Sequence, residues 1–301
     1  MSDVPLGSAL PVDVVVVNYN AGDLLTVCVR SALQAGAAQV IVVDNASHDD
    51  SLTTLARCLP EAALVVHRQA SNLGFARACN VGAGAASQPY VLFLNPDCVI
   101  AADALTALLD VLVTRPQSGM AGGLLLNPDG SEQAGGRRLF PTPRRSFARA
   151  FGMFRLHRWF PHTFPDFLLH QQALPAQPVS VEAISGACML VRRQQLLDLG
   201  AWDEAYFLHC EDLDLCMRYW RAHLEVIFVP QARILHHKGS CSQSHRLRVE
   251  WYKHRGMLRF YRKFFRPQQN DGKMALITAG VWIRFVLVGL RLGLSARGRP
   301  R

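Results

Sequence analysis

Charge is scarce in this 301-residue chain: Asp, Glu, Lys and Arg make up 18% of it, while half is apolar. That balance excludes a disordered class, because there is enough apolar surface to bury a sizeable core. The length suits one large α/β domain with an appendage, or two small domains. No G-x-x-x-x-G-K-[ST] motif occurs, which excludes a P-loop enzyme. The glycine run 82-GAGAAS-87 lacks a third glycine and falls late in a helical stretch, so dinucleotide binding is discounted. No pair of the eight cysteines has the C-x-x-C spacing of zinc or redox sites. Most sit among apolar residues, and buried, reduced thiols are expected. Residues 1–12 lack the basic start and long apolar run of an export signal, so a cytoplasmic body is expected. No internal repeat or low-complexity segment is found.

Acids are missing from two regions. The segment 137-RRLFPTPRRSFARAFGMFRLHRWFP-161 holds seven arginines, several aromatics and no acid, and its prolines rule out a single helix. It reads either as a solvated loop or as a surface for an anionic or lipid-borne acceptor. From Arg233 to Arg301, only Glu250 and Asp271 oppose 16 Lys and Arg, a net charge of +14. The whole chain carries +9, so the remainder is at −5. A mildly acidic body with a strongly basic tail points to nucleic acid or an anionic membrane surface.

The first hundred residues alternate short apolar runs with helical stretches. Strands are expected at 13-DVVVV-17, 40-VIVV-43, 63-ALVV-66 and 90-YVLFL-94, with helices over 23–35 and roughly 74–86. Ser47 or Asp49 can cap a helix after 44-DNASHDD-50. Apolar strands separated by helices imply a parallel sheet covered on both faces, and such sheets bind ligands at the carboxyl ends of their strands. Those ends are Asn18-Tyr19-Asn20, Asp44-Asn45, Asn72 with Gly74, and Asn95-Pro96-Asp97. Turn chemistry explains any one of them. Four in succession read as one polar cleft. Further on, 180-SVEAISGACMLVR-192 is strand-like, with Gly186 and Ala187 leaving room for a ligand. A helix over 193–199 and a turn at Gly200 follow.

Asp97 lies just past a strand end, where a carboxylate can hold Mg²⁺ or Mn²⁺ beside phosphate oxygens. One carboxylate is few for a metal cage, as expected where a diphosphate supplies other ligands. His236 and His237, after the apolar run 226-VIFV-229, offer a further ligand. Glu211, Asp212 and Asp214 crowd into 207-FLHCEDLDLCMRYW-220. The stretch reads as a helix from 211, with Leu213, Cys216, Met217 and Trp220 as its apolar face. Acids are favoured in a first helical turn by the macrodipole and free N–H groups. The aromatic, partly acidic run before them adds a second reading, a carboxylate held ready to take a proton from a hydroxyl.

Two helical pieces end the chain. Residues 249–266 interleave aromatics with Lys and Arg, and 274–294 are mainly apolar with Arg284 and Arg291 inside. A spanning helix needs about 20 apolar residues, and a central charge costs roughly 2.5–3.5 kcal/mol on insertion scales. A basic amphipathic helix lying in the membrane interface fits better, with a core or oligomer helix as the alternative.

Taken together, VVVVNYN at 14–20, VVDNASHD at 42–49, NLGFARACNVG at 72–82, FLNPD at 93–97, SGACMLVRR at 185–193 and GAWDEAYFLHCEDLDLCMRYWRAH at 200–223 resemble the family 2 glycosyltransferases, most closely their bacterial rhamnosyltransferase-like branch. The resemblance covers residues 13 to about 241, in family order. It implies an α/β GT-A fold with a Rossmann-like, mainly parallel central sheet flanked by helices. It implies a tail at 1–12, a transferase domain at 13–241 with a nucleotide-binding half (13–100) and an acceptor half (101–241), and a basic, membrane-associating helical extension at 242–301. The implied reaction is inverting transfer from a nucleoside diphosphate sugar, with rhamnose from dTDP-rhamnose as the expected donor. The expected acceptor is a saccharide or lipid-linked saccharide for a cell-surface polysaccharide. The uracil or thymine base would lie against Asn18, Tyr19 and Asp44, with Asn72, Gly74 and Arg77 flanking the nucleotide, and Asn20 and Asn95 are counted among the donor-binding residues. Asp97 matches the last acid of the metal-binding turn, here N-P-D rather than D-x-D. His236 fits the late His-x-x-Gly position better than His237, and Cys241 stands where a serine is usual. Asp212 matches the general base, with Glu211 and Asp214 orienting it, contacting the acceptor or capping the helix.

Two rivals fit less. A nucleotidyltransferase of the same fold would carry a basic G-x-G-T-R-type loop, which is absent. A nonenzymatic nucleic-acid binder would explain the tail but neither the acidic helix start nor the four polar strand ends. The expected partners are therefore a sugar donor, a saccharide acceptor and an anionic membrane on the inner face of the cell membrane, without nucleic acid.

Overall fold

The computed structural model describes residues 9–59, 63–150, 167–237, 246–266 and 270–297. Residues 151–161 of the basic-aromatic segment, and Cys241, lie outside them. The chain divides into two compact units. One comprises Met1–Leu139, Leu168–Phe207 and Glu211–Cys241; the other comprises Phe140–Phe167, Leu208–Cys210 and Ser242–Arg301.

The first unit is built on β1 (Val12–Asn18), whose residues are all buried. Such a strand needs no polar face because helices cover both sides. It pairs in parallel with β2 (Gln39–Asp44) on one flank and β4 (Tyr90–Leu94) on the other, and β2 pairs with β3 (Leu64–Arg68). The intervening helices are α1 (Asp23–Gln34), α2 (Ser51–Cys58) and α3 (Phe75–Ala85). α1 buries Leu25, Cys28, Val29 and Ala32 in the core that contains Val12, Val14 and Val16. α3 covers the opposite face, where Gly82 is needed: a Cβ there would stand 2.3 Å from Val15 Cγ1. The discounted glycine run is thus a helix-packing surface.

The sheet continues through β10 (Cys188–Arg192), β6 (Ser118–Leu126), β11 (Glu225–His236) and β5 (Cys98–Ile100), giving the order β3-β2-β1-β4-β10-β6-β11-β5. α4 (Ala104–Thr114) packs on this half. β10 runs antiparallel to both neighbours, whereas β6 and β11 are parallel. The strand-like run 180–192 is not one strand. It breaks into β8 (Val179–Val181), which pairs with β11, β9 (Ala183–Ile184), which pairs with β7 (Arg137–Arg138), and β10. The break is a turn in which the Cys188 N–H donates to the Ser185 carbonyl at 3.4 Å. The short α6 (Arg193–Asp198) leads to α7 (Glu211–Arg221). Trp220 corrects the expected apolar face. The first two turns of α7 are buried nearly all round, but the last turn emerges, leaving Trp220 59% exposed.

In the second unit, α5 (Pro143–Ala150), α8 (Arg246–Phe264) and α9 (Asp271–Arg297) carry most of the described residues. Tyr261 donates to Ser146 Oγ at 2.7 Å, joining α8 to α5. Trp251 and His254 of α8 meet Trp282 and Phe285 of α9 ring to ring. Residues 271–293 are long and apolar enough to cross a membrane by length and composition. Leu276, Ile283, Val286, Leu287 and Leu290 are all more than half exposed, so α9 is not a core helix of this chain.

Candidate active site

Asn18 and Asp44 end adjacent parallel strands and are register partners. The buried Asn18 amide nitrogen lies 2.8 Å from Asp44 Oδ1, 3.0 Å from Ser47 Oγ and 2.9 Å from Ser51 Oγ. Asp44 Oδ2 accepts the Ser47 N–H at 3.2 Å. Among the described residues, Asn18 Oδ1 is buried without a hydrogen-bond partner, an acceptor available to a ligand N–H or O–H. Tyr19 follows, half-buried. Asn20, in the left-handed region at φ 52, ties this loop to the next: its Oδ1 accepts the His48 N–H at 2.8 Å and its own N–H donates to Ser47 Oγ at 3.0 Å. Of the two capping candidates, Asp49 bonds the Ser51 N–H and hydroxyl, while Ser47 belongs to the Asn18 network.

The third strand end is organised around Gly74. Asn72 Oδ1 accepts its N–H at 2.9 Å and Asn45 Nδ2 donates to its carbonyl at 3.1 Å. Gly74 sits at φ 83, and a Cβ would stand 2.6 Å from the Phe207 carbonyl oxygen, so only glycine fits. Arg77 is largely exposed and turned toward Glu204 at 3.7 Å, apart from the Asn18–Asp44 network.

At the fourth end, Asp97 and His236 are brought together by antiparallel pairing of Cys98 with His236. Both are buried, with Asp97 Oδ1 and His236 Nε2 3.2 Å apart. Cys98 completes a group whose ligand atoms lie within 4.8 Å of one another. Burial pushes its thiol well above the usual range, as does the Asp97 charge, which favours the oxygen and nitrogen donors for a hard cation. Asn95 Oδ1 is also buried, with no hydrogen-bond partner among the described residues. This donor set fits Mg²⁺ or Mn²⁺ with ligands completed from outside the protein. His237 is engaged through its backbone, donating to the Asp97 carbonyl at 2.9 Å.

α7 separates the three crowded acids. Asp212 is partly open; its Oδ1 accepts the Leu213 N–H at 2.8 Å, its Oδ2 accepts the Gly186 N–H at 3.2 Å, and Arg138 forms an ion pair with the same oxygen. Glu211 is buried with Oε2 unpartnered, and its carboxyl is pushed up to about 8, first by burial and then by the Asp212 charge. It therefore holds a proton at neutral pH. Asp214 points into the body and pairs with Arg218 at 2.7 Å. Arg218 in turn donates to the Leu199 and Ala201 carbonyls, fixing the turn at Gly200. Breaking such a buried pair costs about 3–5 kcal/mol, so Asp214 contributes to holding this turn.

Two neighbouring residues link the halves of the site. Ala187 O accepts the Asn95 N–H at 2.9 Å, while the Gly186 N–H reaches Asp212. The N-P-D turn and the carboxylate of Asp212 are thus one dipeptide apart. Arg138, Gln133, Ser47 and Ser51 are the contributors that motif reading missed. Arg138 and Gln133 lie in a stretch without strand or helix period, 74 and 103 residues from their partners.

Comparison with known proteins adds a consistent set of likenesses. A family model described as "Glycosyltransferase like family 2" matches residues 10–254. An N-acetylglucosaminyl-diphospho-decaprenol L-rhamnosyltransferase of Mycobacterium tuberculosis is 31% identical over 239 residues, covering 75% of this chain and 76% of that protein. A mannosyltransferase of Pyrobaculum calidifontis, solved with GDP-Man and Mn²⁺, superposes with a TM-score of 0.58 at 16% identity, covering 99% of this chain and 80% of its own. GalNAc-T7, solved with UDP, GalNAc and Mn²⁺, superposes with a TM-score of 0.54 at 18% identity over 78% of this chain, which spans only 44% of that protein.

Proposed function

The chain belongs to glycosyltransferase-like family 2, and from that premise we propose that it transfers L-rhamnose from dTDP-rhamnose, with inversion, to a lipid-linked saccharide. The observation that carries the reading is the Gly186-Ala187 bridge between the Asn95-Pro96-Asp97 turn and Asp212. It ties that turn and the Asp212 carboxylate to two consecutive residues, which supports a cation and a base acting on one substrate. The nucleotide lies along the Asn18–Asp44 network, where Asn18 Oδ1 is a free acceptor. Asp97 and His236 would hold a divalent cation, which when bound would offset charge on the departing diphosphate.

Asp212 takes the proton of the acceptor hydroxyl. The resulting oxygen forms a bond to the anomeric carbon as the bond from that carbon to the diphosphate oxygen breaks, and the nucleoside diphosphate leaves with the electron pair. Glu211, already protonated, contributes a donor rather than a second base. Arg138 and the Gly186 N–H fix the Asp212 carboxylate in place.

The acceptor reading is supported by the mycobacterial relative, whose name specifies a diphospho-decaprenol substrate. α9 suits work at a membrane. At about 100° per residue, Leu276, Ile283, Val286, Leu287 and Leu290 fall within one arc of roughly 100°, with Lys273, Arg284 and Arg291 along one border. This favours an in-plane helix on the anionic inner face of the cell membrane.

A screen of dTDP-, UDP- and GDP-sugars, with Mn²⁺, Mg²⁺ or chelator, tests the donor reading. Metal-dependent release of dTDP from dTDP-rhamnose is expected. Preference for a UDP- or GDP-sugar would replace the donor. No binding of any would reduce the polar strand ends to scaffold.

A further inference from the structure

Gln133 is buried, 4% exposed, and its amide is oriented by contacts that only one of its ends can make. Its Nε2 donates to the His236 backbone carbonyl at 3.3 Å and to Asn127 Oδ1 at 3.0 Å. A backbone carbonyl only accepts, so the nitrogen end is committed there. The oxygen end is left facing His236 Nδ1 at 2.7 Å. An amide oxygen also only accepts, so Nδ1 carries the ring proton. In the neutral ring the lone pair then sits on Nε2, 3.2 Å from Asp97 Oδ1. Two lone-pair donors at that distance can share one cation.

We propose that Gln133 is the positioning residue of the cation site: it holds His236 in the Nδ1–H tautomer and aims Nε2 so that it and Asp97 bind one divalent ion. A carboxylate or carbonyl behind a metal-bound histidine does the same work elsewhere, fixing ring angle and tautomer. The second tie, from Nε2 to the His236 carbonyl, makes the arrangement self-consistent, because the residue whose ring is aimed also orients the amide that aims it. This inference rests on the reading of Asp97 and His236 as the cation ligands.

The test is Mn²⁺ titrated into the full-length protein with saturating dTDP or UDP, the free ion followed by electron paramagnetic resonance. Gln133→Leu removes the acceptor and is expected to weaken Mn²⁺ about 10–100-fold, leaving metal-free nucleotide affinity unchanged. Gln133→Glu keeps an acceptor against Nδ1 but loses both donated bonds. It is expected to retain wild-type Mn²⁺ affinity, whereas a purely structural role predicts that it fails like leucine. Wild-type affinity in the leucine variant, or equal loss in both variants, overturns the proposal. Should the leucine variant not fold, the glutamate variant decides alone: retention supports the role and loss overturns it. His236→Ala separates the two levels. If it weakens Mn²⁺ while Gln133→Leu does not, only the role of Gln133 falls. If it too leaves Mn²⁺ binding intact, the cation reading falls with it.

Discussion

Glu211 and Asp212 are adjacent in sequence yet meet opposite environments. Helical rotation of about 100° turns one into the body and the other toward Arg138 and Gly186. The buried Glu211 carboxyl is pushed up from 4.5 to about 8, chiefly by desolvation. Between those values the folded chain holds a proton that the unfolded chain has released. Stability therefore falls as pH rises from about 4.5 through about 8, and is highest, in this contribution, below the unfolded value. Glu211→Gln removes the titration. Its melting temperature should decline less than that of the wild type between pH values of about 5 and about 8; parallel declines would contradict the assignment. At this scale the sequence was readable where chemistry is local. Asp212, Asp97 and Asn18 stand at a helix start or strand ends. Gln133 was not readable, because nothing in its own neighbourhood marks it, and Arg138 was marked only as part of a basic segment, since only the fold brings it to Asp212. Trp220 misled because periodicity gives a side of a helix, not the depth at which the helix leaves the core.

Among the elements, the strands with apolar runs and a polar residue at the carboxyl end were legible, since a doubly covered parallel strand has no polar face to confuse the pattern. The turn at Ser185–Ala187 was less so. Small residues allowed a continuous strand as readily as a break, and pairing with four different strands decided it. α9 leaves Leu276, Ile283, Val286, Leu287 and Leu290 more than half exposed. Changing Ile283, Leu287 and Leu290 to Glu alters side chains already more than half exposed, so folding should be little affected. The wild type should co-sediment with anionic vesicles and dissociate at high salt, and the triple variant should stay in solution. Equal sedimentation of both, or a wild type that never binds, would contradict the membrane role of α9.

For the whole molecule, division of labour follows charge. The cation-ready pair, the Asn18–Asp44 network and Asp212 all belong to the unit built on the central sheet. The basic surplus lies toward the end of the chain, where +14 is gathered from Arg233 onward. The GT-A fold accounts for the first arrangement, because successive strands deliver their polar ends to one edge. The proposed lipid-linked acceptor would account for the second. The most direct test follows transfer from dTDP-rhamnose to a GlcNAc-diphospho-lipid acceptor by wild type and Asp212→Asn, with donor binding measured alongside. A product of inverted anomeric configuration is expected from the wild type. Turnover in the variant should fall roughly a hundredfold or more with donor affinity unchanged. Retained configuration, or a variant that turns over like the wild type, would contradict Asp212 as the base of an inverting transfer.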